Sequence, residues 1–188
     1  DAATGAVRRT YEGSRSTLEI IHREGMLFLL VDPRLDRSRY TDAAAVNRPW
    51  WAGEPMVIKA YEAASGRELW QHEAGVAPLT LAADEARVYF YDGEGVVALA
   101  QASGARLWRS EPLPCVRRLM SFFAPTLVVR AGVVLFAGGE ESGLVKSTGG
   151  ATRSDTLTAL DATTGRRLWS APHPPSGYSS PEDVFVIG

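Results

Sequence analysis

The residue types that most often carry chemistry are few in this sequence and stand far apart. The three histidines are His22, His72 and His173, and none forms the close-spaced pair typical of a zinc site. The single cysteine, Cys115, excludes an internal disulfide and a cysteine-based zinc site. No G-x-S-x-G sequence is present to hold a serine nucleophile on a strand-to-helix turn. We therefore predict no catalytic residue, no metal ligand and no cofactor-binding residue in this chain.

Two short segments have the composition of ligand-binding loops but lack the full patterns. The glycine-rich segment 138–143 has neither the lysine nor the following helix of a phosphate-binding loop. The acidic segment 92–95, Asp-Gly-Glu-Gly, is too short for a calcium loop. Its composition instead predicts a tight turn between two strands.

Trp50 and Trp51 are the strongest candidates for a binding surface. They are adjacent in the proline-bounded stretch 47–55, outside any regular pattern. An exposed aromatic pair on a loop can recognise a partner protein, a glycan or another ligand. The alternative is that the loop folds back and the pair fills a gap at the edge of the fold, because such large apolar groups are seldom left exposed. The binding interpretation requires at least one of the two indoles to be substantially exposed.

Composition and charge exclude several classes of partner. Of 188 residues, 45% are hydrophobic and 22% are charged, which is typical of a soluble globular domain. The net charge of −2 gives no electrostatic reason to bind nucleic acid or an acidic membrane. No apolar run approaches the ~18 residues of a membrane-spanning helix.

The elements that position these residues are indicated by a repeated motif, A-x-D-x-x-T-G-x-x-x-W. Residues 159–169 fit it fully, and residues 1–5 keep its central D-x-x-T-G. Residues 60–70 and 98–108 repeat it with serine for threonine and with Glu62 and Ala100 in place of the aspartate. Arg9 stands where this first copy would have its tryptophan. The motif glycines lie 61, 38 and 61 residues apart: Gly5, Gly66, Gly104 and Gly165. Such a period predicts a fold assembled from copies of one supersecondary unit.

Each motif copy predicts a β-hairpin. Alternating apolar residues lead into a polar turn, where glycine supplies a positive φ and the acidic or hydroxyl side chain binds the turn backbone. The tryptophan falls in the following strand and is expected to pack between neighbouring units. The shortest unit contains four strand-like runs: 78–82, 86–91, 96–100 and 106–109. A four-stranded unit of about 40 residues has the size of a propeller blade.

The two longer units contain the same runs plus insertions at about 32–55 and 138–155. Both insertions come between the second and third strands of their units. We therefore expect them on one face, with Trp50 and Trp51 among them.

The motif, strand order and period together resemble the PQQ-like β-propeller repeat family, found in quinoprotein dehydrogenases and in the outer-membrane assembly lipoprotein propeller. The resemblance implies an all-β propeller segment of four-stranded antiparallel blades at 13–74, 75–112 and 113–174, with partial blades at 1–12 and 175–188. In that family the motif tryptophan docks against the next blade near a small alanine. The structural docking residues implied here are Trp70, Trp108 and Trp169, with Ala60, Ala98 and Ala159 as the alanines.

Three functions follow as hypotheses. The favoured one is a non-catalytic interaction or scaffold module of a larger bacterial protein, whose partners are another protein or the remaining blades. The second is a fragment of a quinoprotein oxidoreductase that binds PQQ and calcium, although none of that family's catalytic or calcium-binding residues can be carried onto this chain. The third is an accessory propeller fused to an enzyme such as a methyltransferase, which the stretch 171–185 resembles in part. The resemblance favours an extracytoplasmic location.

Overall fold

The computed structural model describes residues 1, 3–34, 51, 53–113, 125–145 and 150–173, with the backbone alone at 139–145, 150–155 and 173. These residues form three four-stranded antiparallel sheets. The strands are β1 (Thr17–Arg23), β2 (Met26–Val31), β3 (Pro55–Glu62), β4 (Glu68–Gly75), β5 (Ala82–Ala83), β6 (Arg87–Tyr91), β7 (Val96–Ala100), β8 (Arg106–Arg109), β9 (Thr126–Arg130), β10 (Val133–Val145), β11 (Gly150–Asp161) and β12 (Arg167–His173). Within the described ranges, no helix is long and apolar enough to cross a bilayer.

Each sheet is a meander in which every strand pairs with the next one along the chain. Among strands of different sheets, β1 contacts β5 and β5 contacts β9, so the sheets meet through their first strands. One buried apolar cluster runs through all three sheets and includes Phe28, Tyr89 and Phe136. Between the second and third sheets, Tyr91 and Phe136 stack with their ring centroids 4.6 Å apart. This arrangement is the predicted all-β propeller segment.

The predicted motif turn occurs four times with the same geometry. Each motif glycine has a positive φ and donates its amide to the carbonyl four residues earlier, at 2.8 to 2.9 Å: Gly5 to Asp1, Gly66 to Glu62, Gly104 to Ala100 and Gly165 to Asp161. In the last copy, the Asp161 carboxylate accepts the amides of Thr163 and Thr164 at 3.0 and 2.8 Å. These bonds satisfy backbone donors that a tight turn would otherwise leave unpaired.

Two kinds of turn lie at the same end of each sheet, which we call the turn end. There the motif turn donates an amide to the hairpin turn between the first two strands: Ala63 to Gly25, Gln101 to Ala86 and Ala162 to Gly132. The connection between the second and third strands leaves from the opposite end, which we call the loop end. Both predicted insertions belong to the loop end.

The first strand of the second sheet is shorter than the predicted run 78–82. Leu79 has a φ of +64°, which a strand residue cannot adopt. The Glu19 carboxylate accepts the amides of Leu79 and Leu81 at 2.6 and 3.2 Å, and so takes donors that a strand would use in its ladder. Only Ala82–Ala83 remains as β5.

The described residues of the second insertion, 138–145 and 150–155, form strand rather than the predicted loop. The pairing of β10 with β11 runs from Val133 opposite Asp161 to Val145 opposite Gly150, with one irregularity between Glu141 and Leu144. The hairpin at the centre of the third sheet is therefore much longer than the strands on either side of it.

Candidate functional site: sheet boundaries and a projecting hairpin

Trp70 closes the turn end of the boundary between the first and second sheets. Its ring lies so close to the motif turn of the second sheet that a Cβ added at Gly104 would be 2.6 Å from Cε3 of the indole. The indole Nε1 donates to the Gln101 carbonyl at 2.8 Å. The glycine is thus required twice, for its φ of +69° and for the absence of a side chain.

Trp108 makes the same contacts one sheet further along. A Cβ added at Gly165 would lie 2.5 Å from its Cε3, and its Nε1 donates to the Ala162 carbonyl at 3.2 Å. The docking surface is therefore the glycine turn of the next sheet. Within their own sheets, Ala60 and Ala98 pair across strands with Trp70 and Trp108.

The first and last motif copies depart from this pattern. Arg9 takes the place of a tryptophan against Gly66, where an added Cβ would lie 3.0 Å from Cδ of the arginine. Trp169 is 47% exposed and does not occupy the buried place that the sequence predicts. No described residue faces it as Gly104 faces Trp70, and residues 174–188 lie outside the described ranges.

Trp51 lies at the loop end of the first boundary and is 1% exposed. Its Nε1 donates to the Glu54 carbonyl at 3.0 Å. Its ring covers Gly93 and Gly75, where added Cβ atoms would lie 3.0 and 3.7 Å from the indole. Trp51 therefore fills a gap between two sheets and offers no exposed surface, whereas Trp50 lies outside the described residues.

The segment 92–95 forms the tight turn that its composition predicts. Asp92 Oδ1 accepts the amides of Glu94 and Gly95 at 3.0 and 2.9 Å. Arg109 donates to the carboxylates of both Asp92 and Glu94, at 2.6 and 2.8 Å. Burial raises the pKa of Asp92, but the bonds from Arg109 and the two amides outweigh burial and bring the pKa below its ordinary value.

Glu19 is a carboxyl group whose pKa lies well above its ordinary value. Burial raises its pKa from 4.5 to about 7, although the two bonds from Leu79 and Leu81 favour the ionised form. It lies on β1 and holds the segment that enters the second sheet. Glu19 is therefore a boundary residue, because its carboxylate belongs to the first sheet and the two amides that donate to it belong to the segment that enters the second.

Among the described residues, the histidines and acidic residues do not come together in a centre. Within the part of the chain that the structure describes, no three His, Cys, Asp or Glu side chains lie close enough to hold a metal ion. His22 is exposed on β1. His72 lies 6.1 Å from Phe90 in the first boundary, where burial and the charge of Arg106 lower its pKa. The backbone of residue 173 ends β12, and residue 115 lies outside the described ranges.

A projecting hairpin is the longest strand pair at the loop end of the described part of the chain. In the third sheet, β9 covers only residues 133–137 of β10, and β12 covers only residues 155–160 of β11. Among the described strands, residues 138–145 and 150–154 pair with each other and with no third strand. Among the described residues, this projecting hairpin therefore has two strand edges along which no third strand pairs.

Four-stranded meanders that join through their first strands, with an indole on each neighbouring glycine turn, define a segment of β-propeller. Residues 54–184 match the family described as outer membrane protein assembly factor BamB, which is more than half of the chain. The chain belongs to this family of PQQ-repeat propellers.

Solved structures show the same fold at low identity. The quinohemoprotein alcohol dehydrogenase of Comamonas testosteroni is 19% identical with a TM-score of 0.53, and the match covers 89% of this chain and 23% of that one. A europium-containing methanol dehydrogenase is 12% identical with a TM-score of 0.51, covering 85% and 26%. The computationally designed Ika8 protein is 16% identical with a TM-score of 0.50, covering 82% and 36%. No curated protein matches the sequence.

Proposed function

We propose that this chain is part of a non-catalytic propeller that acts as an interaction scaffold in a larger bacterial protein. The observation that carries the proposal is the projecting hairpin of the third sheet. A two-stranded ribbon is marginally stable in water by itself, so ordered strand pairing beyond the sheet favours a further neighbour. Its unpaired edges suit the addition of a strand from a partner protein, with main-chain bonds supplying affinity.

The sheets beneath the hairpin supply a rigid base for this role. The third sheet is fixed to the second by Trp108 and by the stacked pair of Tyr91 and Phe136. An element that projects from such a base keeps its orientation, which lowers the entropy lost on binding.

Shortening the hairpin tests the proposal. In the shortened variant, the four residues Asp-Gly-Glu-Gly of the natural turn 92–95 replace residues 139–155, so that they join Gly138 to Thr156, which face each other across the ladder. The full-length protein and the variant are cross-linked in the producing cells, and the captured proteins are quantified by mass spectrometry. We expect a partner captured by the parent to be lost from the variant and kept in Arg67→Gln, a control at the turn end.

Two outcomes contradict the scaffold role. One is an unchanged set of captured proteins after shortening. The other is dye-linked alcohol oxidation by the purified full-length protein when PQQ and calcium are added, which supports the oxidoreductase hypothesis instead.

We also propose an extracytoplasmic location, which the name of the matched family supports. An alkaline phosphatase fusion to the full-length protein tests it, since that enzyme matures only outside the bacterial cytoplasm. An inactive fusion that is nevertheless made in normal amounts contradicts this location.

A further inference from the structure

A cavity of about 680 Å³ lies at the turn end, where the three sheets converge. It is formed by the turns that follow the first strand of each sheet. Its charged lining residues are Arg23, Asp84, Glu85, Arg87 and Arg130. The volume falls in the range of small-molecule sites, ~300–1,000 Å³.

The three arginines come from three different sheets. Arg23 and Arg130 precede hairpin turns of the same form, in which the next two residues both have positive φ: Glu24 and Gly25 at 47° and 75°, and Ala131 and Gly132 at 48° and 77°. Arg87 begins β6 at the corresponding turn of the second sheet. The repeat thus places a guanidinium group on each side of the cavity.

Two of these arginines have unused hydrogen-bonding capacity. Arg23 Nε is buried and has no hydrogen-bond partner. Its guanidinium approaches the Glu85 carboxylate at 3.6 Å, which is too long for a hydrogen bond. Arg130 is exposed and makes no ion pair with any described residue. A buried donor without an acceptor destabilises the folded chain, and an anion in the cavity can supply the missing acceptor.

The two acidic residues of the cavity, Asp84 and Glu85, differ in how far they neutralise the charge of the three arginines. Asp84 accepts the amides of Ala86 and Arg87 at 2.8 and 2.7 Å and the Tyr89 hydroxyl at 2.5 Å, so its oxygens are committed to the turn. Glu85 has a side chain that is 81% exposed and is held only by the long contact to Arg23. Glu85 is therefore the group that an incoming anion has to displace.

We propose that this cavity binds a small molecule carrying two or more carboxylate or phosphate groups. Guanidinium groups recognise these oxyanions by paired, charge-assisted hydrogen bonds. The site lies at the turn end, away from the projecting hairpin, and its occupancy is independent of the scaffold role.

The test uses citrate and pyrophosphate as separate probes, titrated into the protein by calorimetry at constant ionic strength, with chloride as the reference salt. Citrate carries carboxylates alone and pyrophosphate carries phosphates alone, so the two titrations show which chemistry the site prefers. We expect saturable binding of at least one probe. Arg23→Gln and Arg130→Gln should each weaken it about tenfold or more, because each removes a charged donor.

Two further variants make the expected pattern specific. Glu85→Gln should tighten binding, since it removes the competing carboxylate. Arg67→Gln, an exposed arginine at the same end but outside the cavity, should bind as the parent does. Because Arg130 is exposed, its variant keeps the test valid if Arg23→Gln fails to fold. Absence of saturable binding, or equal weakening by Arg67→Gln and Arg130→Gln, overturns the proposal.

Discussion

At the scale of single residues, the motif glycine serves two physical purposes that this chain allows to be measured separately. Gly5 and Gly104 share a φ of +69°. Within the described residues, nothing lies within 4 Å of a Cβ added at Gly5, whereas one added at Gly104 would meet Trp70 at 2.6 Å. The backbone strain of a substitution is common to both positions, and the clash with an indole occurs at only one.

We therefore expect Gly104→Ala to lower the free energy of unfolding by ~2–4 kcal/mol and Gly5→Ala by only about 1 kcal/mol. The difference arises because the indole and the turn must separate to admit a methyl group. Urea unfolding followed by circular dichroism measures both values. Equal losses of unfolding free energy at the two positions would show that the packing of Trp70 does not require a glycine at position 104.

Sequence reasoning predicted the motif turns but left two interpretations of Trp51 open, for a physical reason. The Asp-to-glycine turn is local, so its hydrogen bonds follow from neighbouring residues. The burial of Trp51 depends on Gly93, a residue of another sheet. A partner so distant in sequence leaves no periodic signal near Trp51, and so both the exposed and the buried interpretation were open.

At the scale of elements, the boundary between sheets is the unit that determines stability. Each boundary combines an indole on a glycine turn with an aromatic contact between the sheets, His72 with Phe90 at 6.1 Å in the first and Tyr91 with Phe136 at 4.6 Å in the second. Repeat folds gain much of their stability from such neighbour interfaces.

Trp108→Ala is expected to cost about 3 kcal/mol, because it removes a large packed side chain and leaves a gap between the second and third sheets. Trp169→Ala is the matched control, since this tryptophan occupies the same motif position but is 47% exposed. Its cost should be below about 1 kcal/mol. Chemical unfolding of the two variants gives the comparison, and similar costs would mean that docking on Gly165 contributes little.

Glu19 should make the first boundary sensitive to pH. Its pKa is raised from 4.5 to about 7 in the folded chain, so between these values the folded state holds a proton that the unfolded state has lost. Its contribution to stability is therefore complete below pH 4.5 and is lost as pH rises through about 7, a change of ~1–3 kcal/mol.

The measurement is the unfolding free energy of the parent and of Glu19→Gln at several pH values from 5 to 8. Glutamine cannot ionise, so the difference between the two proteins should change in favour of the variant as pH rises. His72 acts in the opposite direction, because its lowered pKa favours folding at higher pH, and it is present in both proteins. A difference that stays constant with pH would refute this role of Glu19.

Two elements differ from their sequence-based predictions. Contacts with another sheet determine the structure of the first, and a long backbone ladder determines that of the second. The run 78–82 has strand composition, yet Glu19 binds two of its amides and Leu79 takes a left-handed φ. The segment 138–155 has the glycine and charge of a loop, yet its described residues, 138–145 and 150–155, continue the ladder of β10 and β11. In both cases the local sequence pattern does not indicate the group that determines the structure.

At the scale of the whole molecule, the two outer sheets carry exposed apolar side chains. Ile20 on β1 is 66% exposed, and Leu168 and Trp169 on β12 are 41% and 47% exposed. Side chains of this kind on open sheet faces favour association.

We expect the 188-residue chain to self-associate as its concentration rises, and Ile20→Gln and Trp169→Gln to shift it toward monomer. Sedimentation velocity over a range of concentrations measures the shift. Leu107→Gln, an exposed site on the second sheet, is the control and should leave the distribution unchanged. A chain that stays monomeric at every concentration would contradict this expectation.

The placement of the indoles gives each sheet boundary its own optical reporter. Trp51 and Trp70 lie at opposite ends of the first boundary, Trp108 lies in the second, and Trp169 is about half exposed. Variants that keep one of these four indoles, with Trp50 and the other three replaced by phenylalanine, should emit at different wavelengths, with Trp51 the bluest and Trp169 the reddest. Heating such variants while recording the emission wavelength would then show which boundary opens first, and at which end.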